Sequence, residues 1–293
     1  MNYRGRFAPS PSGPLHFGSL VAAMGSYLDA KHHKGTWLVR IEDIDPPREK
    51  PGAADQILRT LETFGFEWDE SVLYQSKRLN AYQDALHELA RDGLLYECTC
   101  SRSEINAIGQ RGIEGIIYPG TCRTYSPGSS VSNTPKALRI KTSEHPIQFR
   151  DGLAGSQTQN IAKEIGDFIL KRADGLFAYQ LAVVMDDAYQ NITHVVRGAD
   201  LLTSTPRQIY LQMQLHLPTP SYTHLPLVLN EDGTKLSKQS GSQPVTGSTV
   251  MTALKSAWDF LGQIDTSTSP ESVAEFWTWA MDNWDTGSIK YNK

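Results

Sequence analysis

From Arg6 to Pro14 the chain is broken by prolines, serines and a glycine, and from Leu20 apolar residues recur at helical spacing through Ala23, Met24, Tyr27 and Leu28. The pattern predicts a proline-stiffened loop that runs straight into an amphipathic helix. Trp37-Leu38-Val39-Arg40-Ile41 then reads as a buried strand ending at the acidic turn Glu42 to Pro47. Ile57, Leu58 and Leu61 mark a second helix, and Leu79, Tyr82, Leu86 and Leu89 a third, each with the apolar stripe of a core helix. Beyond Leu94 the periodicity breaks into short strands and turns, followed by a Ser/Gly/Pro-rich loop over 126–135, a strand over 137–141 and a hydrophilic stretch over 151–164.

Regular patterning returns with Phe168 to Lys171, a turn at Ala173-Asp174-Gly175, an apolar run over 178–185 that predicts a strand, and a further strand over 193–198. Thr205-Pro206 opens a helix carrying Ile209, Leu211, Met213 and Leu215, the proline suiting its first turn. Leu225 to Leu229 and the turn Asp232-Gly233 lead to Lys235 and Lys238 on an expected mobile loop. Two closing helices are predicted over 252–261 and 270–284, with Trp258, Trp277, Trp279 and Trp284 as packing residues, and the tail after Asp285 is expected to be disordered. No internal repeat is present. The alternation of strands and helices makes this an α/β fold, divided into a first half of a nucleotide-binding fold (1–91), an insertion (92–172), a second half with the lysine loop (173–240) and a helical C-terminal region (241–293). In such sheets ligands bind at the carboxyl ends of the strands, which puts Arg40, Glu42 and Asp43 where a substrate would lie.

Composition narrows the class. With 39% hydrophobic residues in 293, the chain can build a large core, and no apolar run reaches membrane-spanning length. The first residues lack a signal-peptide core, so a cytoplasmic protein without membrane contact is expected. A net charge of -4 means that any RNA contact must come from a local basic surface. The three cysteines, Cys98, Cys100 and Cys122, are clustered, which fits a metal or a disulfide; in a reducing cytosol the metal is favoured.

His16 and Gly18 stand at the predicted start of the first helix, where amide groups and the positive dipole end favour a phosphate. Together with Lys235-Leu236-Ser237-Lys238-Gln239, the stretch His16-Phe17-Gly18-Ser19 resembles the two motifs of class I aminoacyl-tRNA synthetases. Arg6-Phe7-Ala8-Pro9-Ser10-Pro11 with Arg40-Ile41-Glu42-Asp43 resembles their glutamyl branch. The resemblance implies a class I synthetase-type Rossmann fold with an inserted zinc-bearing subdomain. It implies His16 and Lys238 as catalytic residues, and His16, Gly18, Lys235 and Lys238 as the ATP site, with Mg2+ entering alongside ATP. It assigns Arg6, Ala8, Ser10, Glu42, Tyr179 and Arg197 to the amino-acid pocket, the two arginines holding carboxylates while Glu42 and Tyr179 face the ammonium. Arg197, a cation where glutaminyl relatives have none, favours glutamate over glutamine. Three thiolates leave a tetrahedral structural zinc one ligand short, and the resemblance points to Tyr118 as the fourth.

A full-length glutamyl-tRNA synthetase continues into a large helical anticodon-reading region, whereas here the chain ends at Lys293, soon after the lysine motif. The resemblance therefore falls on the short paralogues that attach glutamate to queuosine in the anticodon loop of tRNA(Asp). The implied partners are ATP, L-glutamate and tRNA(Asp) carrying queuosine, with a monomer expected. Two rivals are a shortened synthetase that charges a tRNA 3′ end and a non-catalytic RNA-binding paralogue.

Overall fold

The computed structural model describes residues 2–124, 135–229, 250–263 and 270–291. The chain opens with β1 (Arg4–Phe7), α1 (Phe17–His32), β2 (Thr36–Ile41), α2 (Ala53–Thr63), β3 (Leu73–Tyr74) and α3 (Leu79–Arg91). There follow β4 (Leu95–Cys98), α4 (Arg102–Ile108), β5 (Arg111–Gly112), β6 (Gly115–Ile116), β7 (Ala137–Ile140), β8 (Ile147–Asp151), β9 (Gly155–Gln159), α5 (Ile161–Glu164) and β10 (Ile169–Lys171). It closes with α6 (Tyr179–Tyr189), β11 (His194–Gly198), α7 (Thr205–Gln214), β12 (Ser221–Leu225), α8 (Val250–Phe260) and α9 (Val273–Asn283).

β1, β2 and β3 pair in parallel, as do β11, β12 and β8, and the backbone N–H of Thr193 donates to Arg4 O (2.9 Å) where the two sets meet. The result is a parallel sheet wound outward from β1 and β11, with the hairpin β8–β9 on its far edge. Strand alternation divides the core in two. Trp37, Val39 and Ile41 of β2 face α1, α8 and α9, while Leu38 faces α3, α6 and α7. Gly25 lets α1 lie close to the sheet, since a Cβ there would come within 2.5 Å of Leu225. β4, β7 and β10 form a separate antiparallel sheet with Cys98 at the end of β4.

Two expectations are corrected. The run over 178–185 is not a strand but the first part of α6. Leu181, Ala182, Val183 and Val184 are all buried in the core under the sheet, and a continuous apolar run has no period that tells helix from strand. The tail is ordered as far as it is described. Ile289 is buried, and Asp285 exchanges hydrogen bonds with Gln263 (2.9 Å each way).

The closing helices pack as the tryptophans suggest. Trp277 stands edge-on to Tyr27, ring centroids 4.9 Å apart, and its Nε1 donates to Phe64 O (2.8 Å); Trp284 Nε1 donates to Asp29 (3.3 Å). Gly65 takes a positive φ of 75°, and a Cβ there would meet Val273 at 2.5 Å, so α9 seats directly on the turn after α2. Trp277→Ala should therefore cost about 3–5 kcal/mol of stability. A urea titration checks this, and an unchanged midpoint would mean that α9 is not part of the core.

Candidate active site

The loop over Ala8 to Leu15 closes on the start of α1, and His16 is the cap of that helix. Its backbone is extended (φ -108°, ψ 171°), and its Nδ1 accepts from the Ser19 backbone N–H at 3.2 Å. With Nδ1 committed as acceptor, neutral His16 carries its proton on Nε2.

A cavity of about 330 Å³ opens over this helix start. Arg6, Ala8, Ser10, His16, Gly18, Tyr179 and Arg197 line it, together with Asp200 and the stretch Leu225 to Val228. Seven of the predicted site residues are thus around one space. Glu42 adjoins them: its N–H donates to Pro9 O (3.0 Å), and its side chain is buried within the electrostatic reach of Arg6. Lys235 and Lys238 lie outside the described residues.

The two arginines are held in different ways. Arg6 grips Asp187 with Nε (3.0 Å) and Nη2 (3.3 Å), and Arg40 donates to the same carboxylate (2.7 Å) and to Gln190 (2.8 Å). Burial would raise Asp187, but the two guanidinium groups hold it below the usual carboxylate range. Arg40 is fully buried against Asp187 and Gln190, Asp43 accepts from the Ser76 N–H (2.9 Å) and hydroxyl (2.6 Å), and neither lines the cavity. Arg40 braces the site from behind instead, through the carboxylate it shares with Arg6. Glu42 is pushed up to about 7 by burial, which outweighs Arg40 and Arg6, with Asp187 and Asp186 adding to the rise. Its Oε1 lies 3.6 Å from Arg40 Nη2 and accepts no hydrogen bond among the described residues.

Arg197 donates from Nε to His224 Nε2 (3.1 Å) and from Nη2 to Thr205 Oγ1 (2.8 Å), while Nη1 lies 3.5 Å from the Tyr179 hydroxyl. His224 Nδ1 in turn lies 2.6 Å from Asp151 Oδ2. Sequence reasoning missed Asp187, Asp151 and His224. The one available signal was the doublet Asp186-Asp187 at the end of an apolar run, which says nothing of its partners.

A second cluster lies on the β4–β7–β10 sheet. The sulfurs of Cys98, Cys100 and Cys122 are all within 4.8 Å of one another, and none forms a disulfide. The Tyr118 hydroxyl sits 3.4 Å from Cys98 Sγ and 3.6 Å from Cys100 Sγ, and accepts from the Cys122 N–H at 2.9 Å. A tetrahedral zinc with sulfurs at ~2.3 Å sets its ligand atoms ~3.8 Å apart, so the three thiols and the phenol fit such an ion. Among the described residues no helix is long and apolar enough to cross a membrane.

Comparison with known proteins agrees with this geometry. Residues 2–262 match the family model for tRNA synthetases class I (E and Q), catalytic domain. The chain is 53% identical over 285 residues to the Glutamyl-Q tRNA(Asp) synthetase of Dechloromonas aromatica, covering 96% of this chain and 94% of that one. It is 49% identical over 287 residues to the protein of the same name from Neisseria meningitidis serogroup B, covering 98% and 97%. Among solved structures, the glutamate-tRNA synthetase of Elizabethkingia anophelis superposes with a TM-score of 0.80 at 25% identity, covering 99% of this chain and 67% of that one. With the family model spanning the sheet, the helix start and the cysteine cluster, and with half of all residues shared along nearly the whole length, the chain belongs to the class I tRNA synthetases (E and Q), in their Glutamyl-Q tRNA(Asp) synthetase group.

Proposed function

We propose that this protein activates L-glutamate with ATP to glutamyl-adenylate and transfers the glutamyl group to the queuosine base in the anticodon loop of tRNA(Asp). The observation that carries the reading is the close identity to Glutamyl-Q tRNA(Asp) synthetases over nearly the whole chain, and the cavity gives it a physical basis. The glutamate carboxylate attacks the α-phosphate of ATP and pyrophosphate leaves, so no covalent nucleophile is required of the protein. Its work is to position groups and to stabilise charge. His16 and the amides at the start of α1 hold phosphate oxygens, with Gly18 allowing close approach and Lys235 and Lys238 completing the ATP site. Mg2+ supplies charge neutralisation on the phosphates when ATP binds. Arg6 and Arg197 take carboxylates, Glu42 and Tyr179 take the ammonium, and Ala8 and Ser10 shape the floor. Glu42 suits this role because its Oε1 accepts no hydrogen bond among the described residues and Arg40, 3.6 Å away, leaves its burial only partly offset. The metal-binding residues are Cys98, Cys100, Tyr118 and Cys122, and a zinc held there staples the antiparallel sheet. ATP and tRNA as substrates make the cytoplasm its place of work, as a monomer.

Glutamate-dependent ATP–pyrophosphate exchange should proceed with no RNA present, and label from glutamate should enter tRNA(Asp) only when it carries queuosine. A complete RNA requirement for exchange, or equal labelling of both tRNAs, would overturn the reading. The ionised form of Glu42 is the one that binds an ammonium, and it predominates above its raised value of about 7. The KM for glutamate should therefore fall as pH rises from 6 to 8, and Glu42→Gln should flatten that limb while raising KM throughout. The purified protein should hold about one zinc per chain by elemental analysis. Cys98→Ser should lose that zinc and melt at lower temperature, and a metal-free wild type with the same melting curve would count against the staple.

A further inference from the structure

We propose that Asp151 and His224 are a buried positioning relay that fixes which nitrogen of Arg197 meets the side-chain carboxylate of the substrate. The inference rests on the reading of Arg197 as that carboxylate's partner.

The relay is set by strand register. Arg197 on β11 pairs with His224 on β12, and Tyr222, two residues back on β12, pairs with Asp151 at the end of β8. The three side chains therefore cross three neighbouring parallel strands. His224 and Asp151 are at most 1% exposed. Asp151 Oδ1 accepts from the backbone N–H groups of Leu153 (3.0 Å), Ala154 (2.8 Å) and His224 (3.3 Å), which leaves Oδ2 for the His224 ring. Burial would raise Asp151, but His224 and these amides hold it below the usual carboxylate range, so it is an acceptor.

The roles along the chain then follow without choice. A carboxylate can only accept, so the imidazole proton is on Nδ1; Arg197 Nε can only donate, so His224 Nε2 must be bare. Both conditions are met by one neutral tautomer. Burial pulls His224 below its ordinary value, and Arg197 adds to this against the opposing pull of Asp151 and Asp200. With Nε given to His224 and Nη2 to Thr205 and to Leu201 O (3.4 Å), the remaining nitrogen, Nη1, lies beside the Tyr179 hydroxyl on the cavity wall. A guanidinium locked in this way cannot advance to meet a shorter acid. The relay thus serves length selection, glutamate over aspartate, in addition to charge.

Asp151→Asn separates this role from simple packing. The amide oxygen still serves the three backbone N–H groups, but the amide nitrogen now donates to His224 Nδ1 and drives the imidazole proton to Nε2, where it confronts Arg197 Nε–H and competes for Thr205 Oγ1, 3.1 Å from that nitrogen. In the exchange assay we expect the glutamate KM to rise about ten-fold or more, while the KM for ATP stays within about two-fold and the preference for glutamate over aspartate narrows. The 15N spectrum of His224 should show the proton on Nδ1 in the wild type and on Nε2 in the variant. His224→Gln, which can accept from Arg197 and donate to Asp151, should recover most of the glutamate KM, and His224→Leu should not. This pair decides the matter should Asp151→Asn fail to fold. A flipped tautomer with an unchanged glutamate KM, or equal rises in both KM values, overturns the relay. An Arg197→Ala protein with normal glutamate KM would instead remove the assignment of Arg197 itself.

Discussion

The buried carboxylate of Asp187 is the joint on which the site depends. It stands on α6, in the second half of the chain, and takes Arg6 from β1 and Arg40 from β2. Two guanidinium groups stripped of water would each be strongly unfavourable alone, and removal of one partner from such a buried pair costs about 3–5 kcal/mol in general. Burial works against the charge of Arg40, yet Asp187 and Glu42 hold its proton more tightly than usual. The cluster is therefore a fixed array of charges that clamps the two halves of the sheet together and aims Arg6 at the cavity. Glu42 is left with less cationic support than its burial demands, which is why its affinity for a proton rises.

Arg197 sits across the same cavity under the opposite electrostatic regime. Its main anchors are a neutral imidazole, a threonine hydroxyl and a carbonyl. None of these anchors is an anion, whereas Arg6 is gripped directly by the carboxylate of Asp187. Two arginines that look equivalent in a sequence thus differ in how strongly they pull on a carboxylate. The partner of each, and not the residue type, sets that difference.

The parts of the site legible in the sequence are those carried by short contiguous stretches. His16 and Gly18 could be placed because a proline-rich loop before an apolar helix is a local signal, and Trp37 to Ile41 because a buried strand ending in acids is another. The anchors were hidden because they act across the fold: Asp187 lies 181 residues from Arg6, and His224 lies 27 residues from Arg197 and 73 from Asp151. No periodicity encodes such pairings; the register of three strands does. Helix α6 was misread for a related reason. Its stretch Leu181 to Met185 is apolar without interruption and so shows no helical period, and the Val183-Val184 pair adds β-branched residues that favour the wrong assignment. The tail after Asp285 was misread because a short polar stretch with isolated apolar residues carries no pattern, although Ile289 finds a buried seat.

The cysteine subdomain shows what a metal would contribute to folding. Its own core consists of Tyr96, Cys98, Tyr118 and Cys122, with Cys100 and Ile105 partly buried beside them. A cluster this small supplies little of the apolar burial that ordering a loop requires. Polar links carry part of the load: Asp167 accepts from Tyr96 (2.8 Å), Arg123 (2.7 Å) and Thr142 (2.7 and 2.9 Å), and the guanidinium of Arg139 lies 3.9 Å from the centre of the Tyr118 ring. These links fix the sheet and one face of Tyr118, while Cys100 itself meets Tyr118 and Cys122 through its sulfur. A single ion at the centre of the four donors would join β4, the loop with Tyr118 and the turn with Cys122 at one point. Were an ion bound there, its binding would be coupled to ordering of this subdomain, whereas the cavity residues stand on the other, parallel sheet.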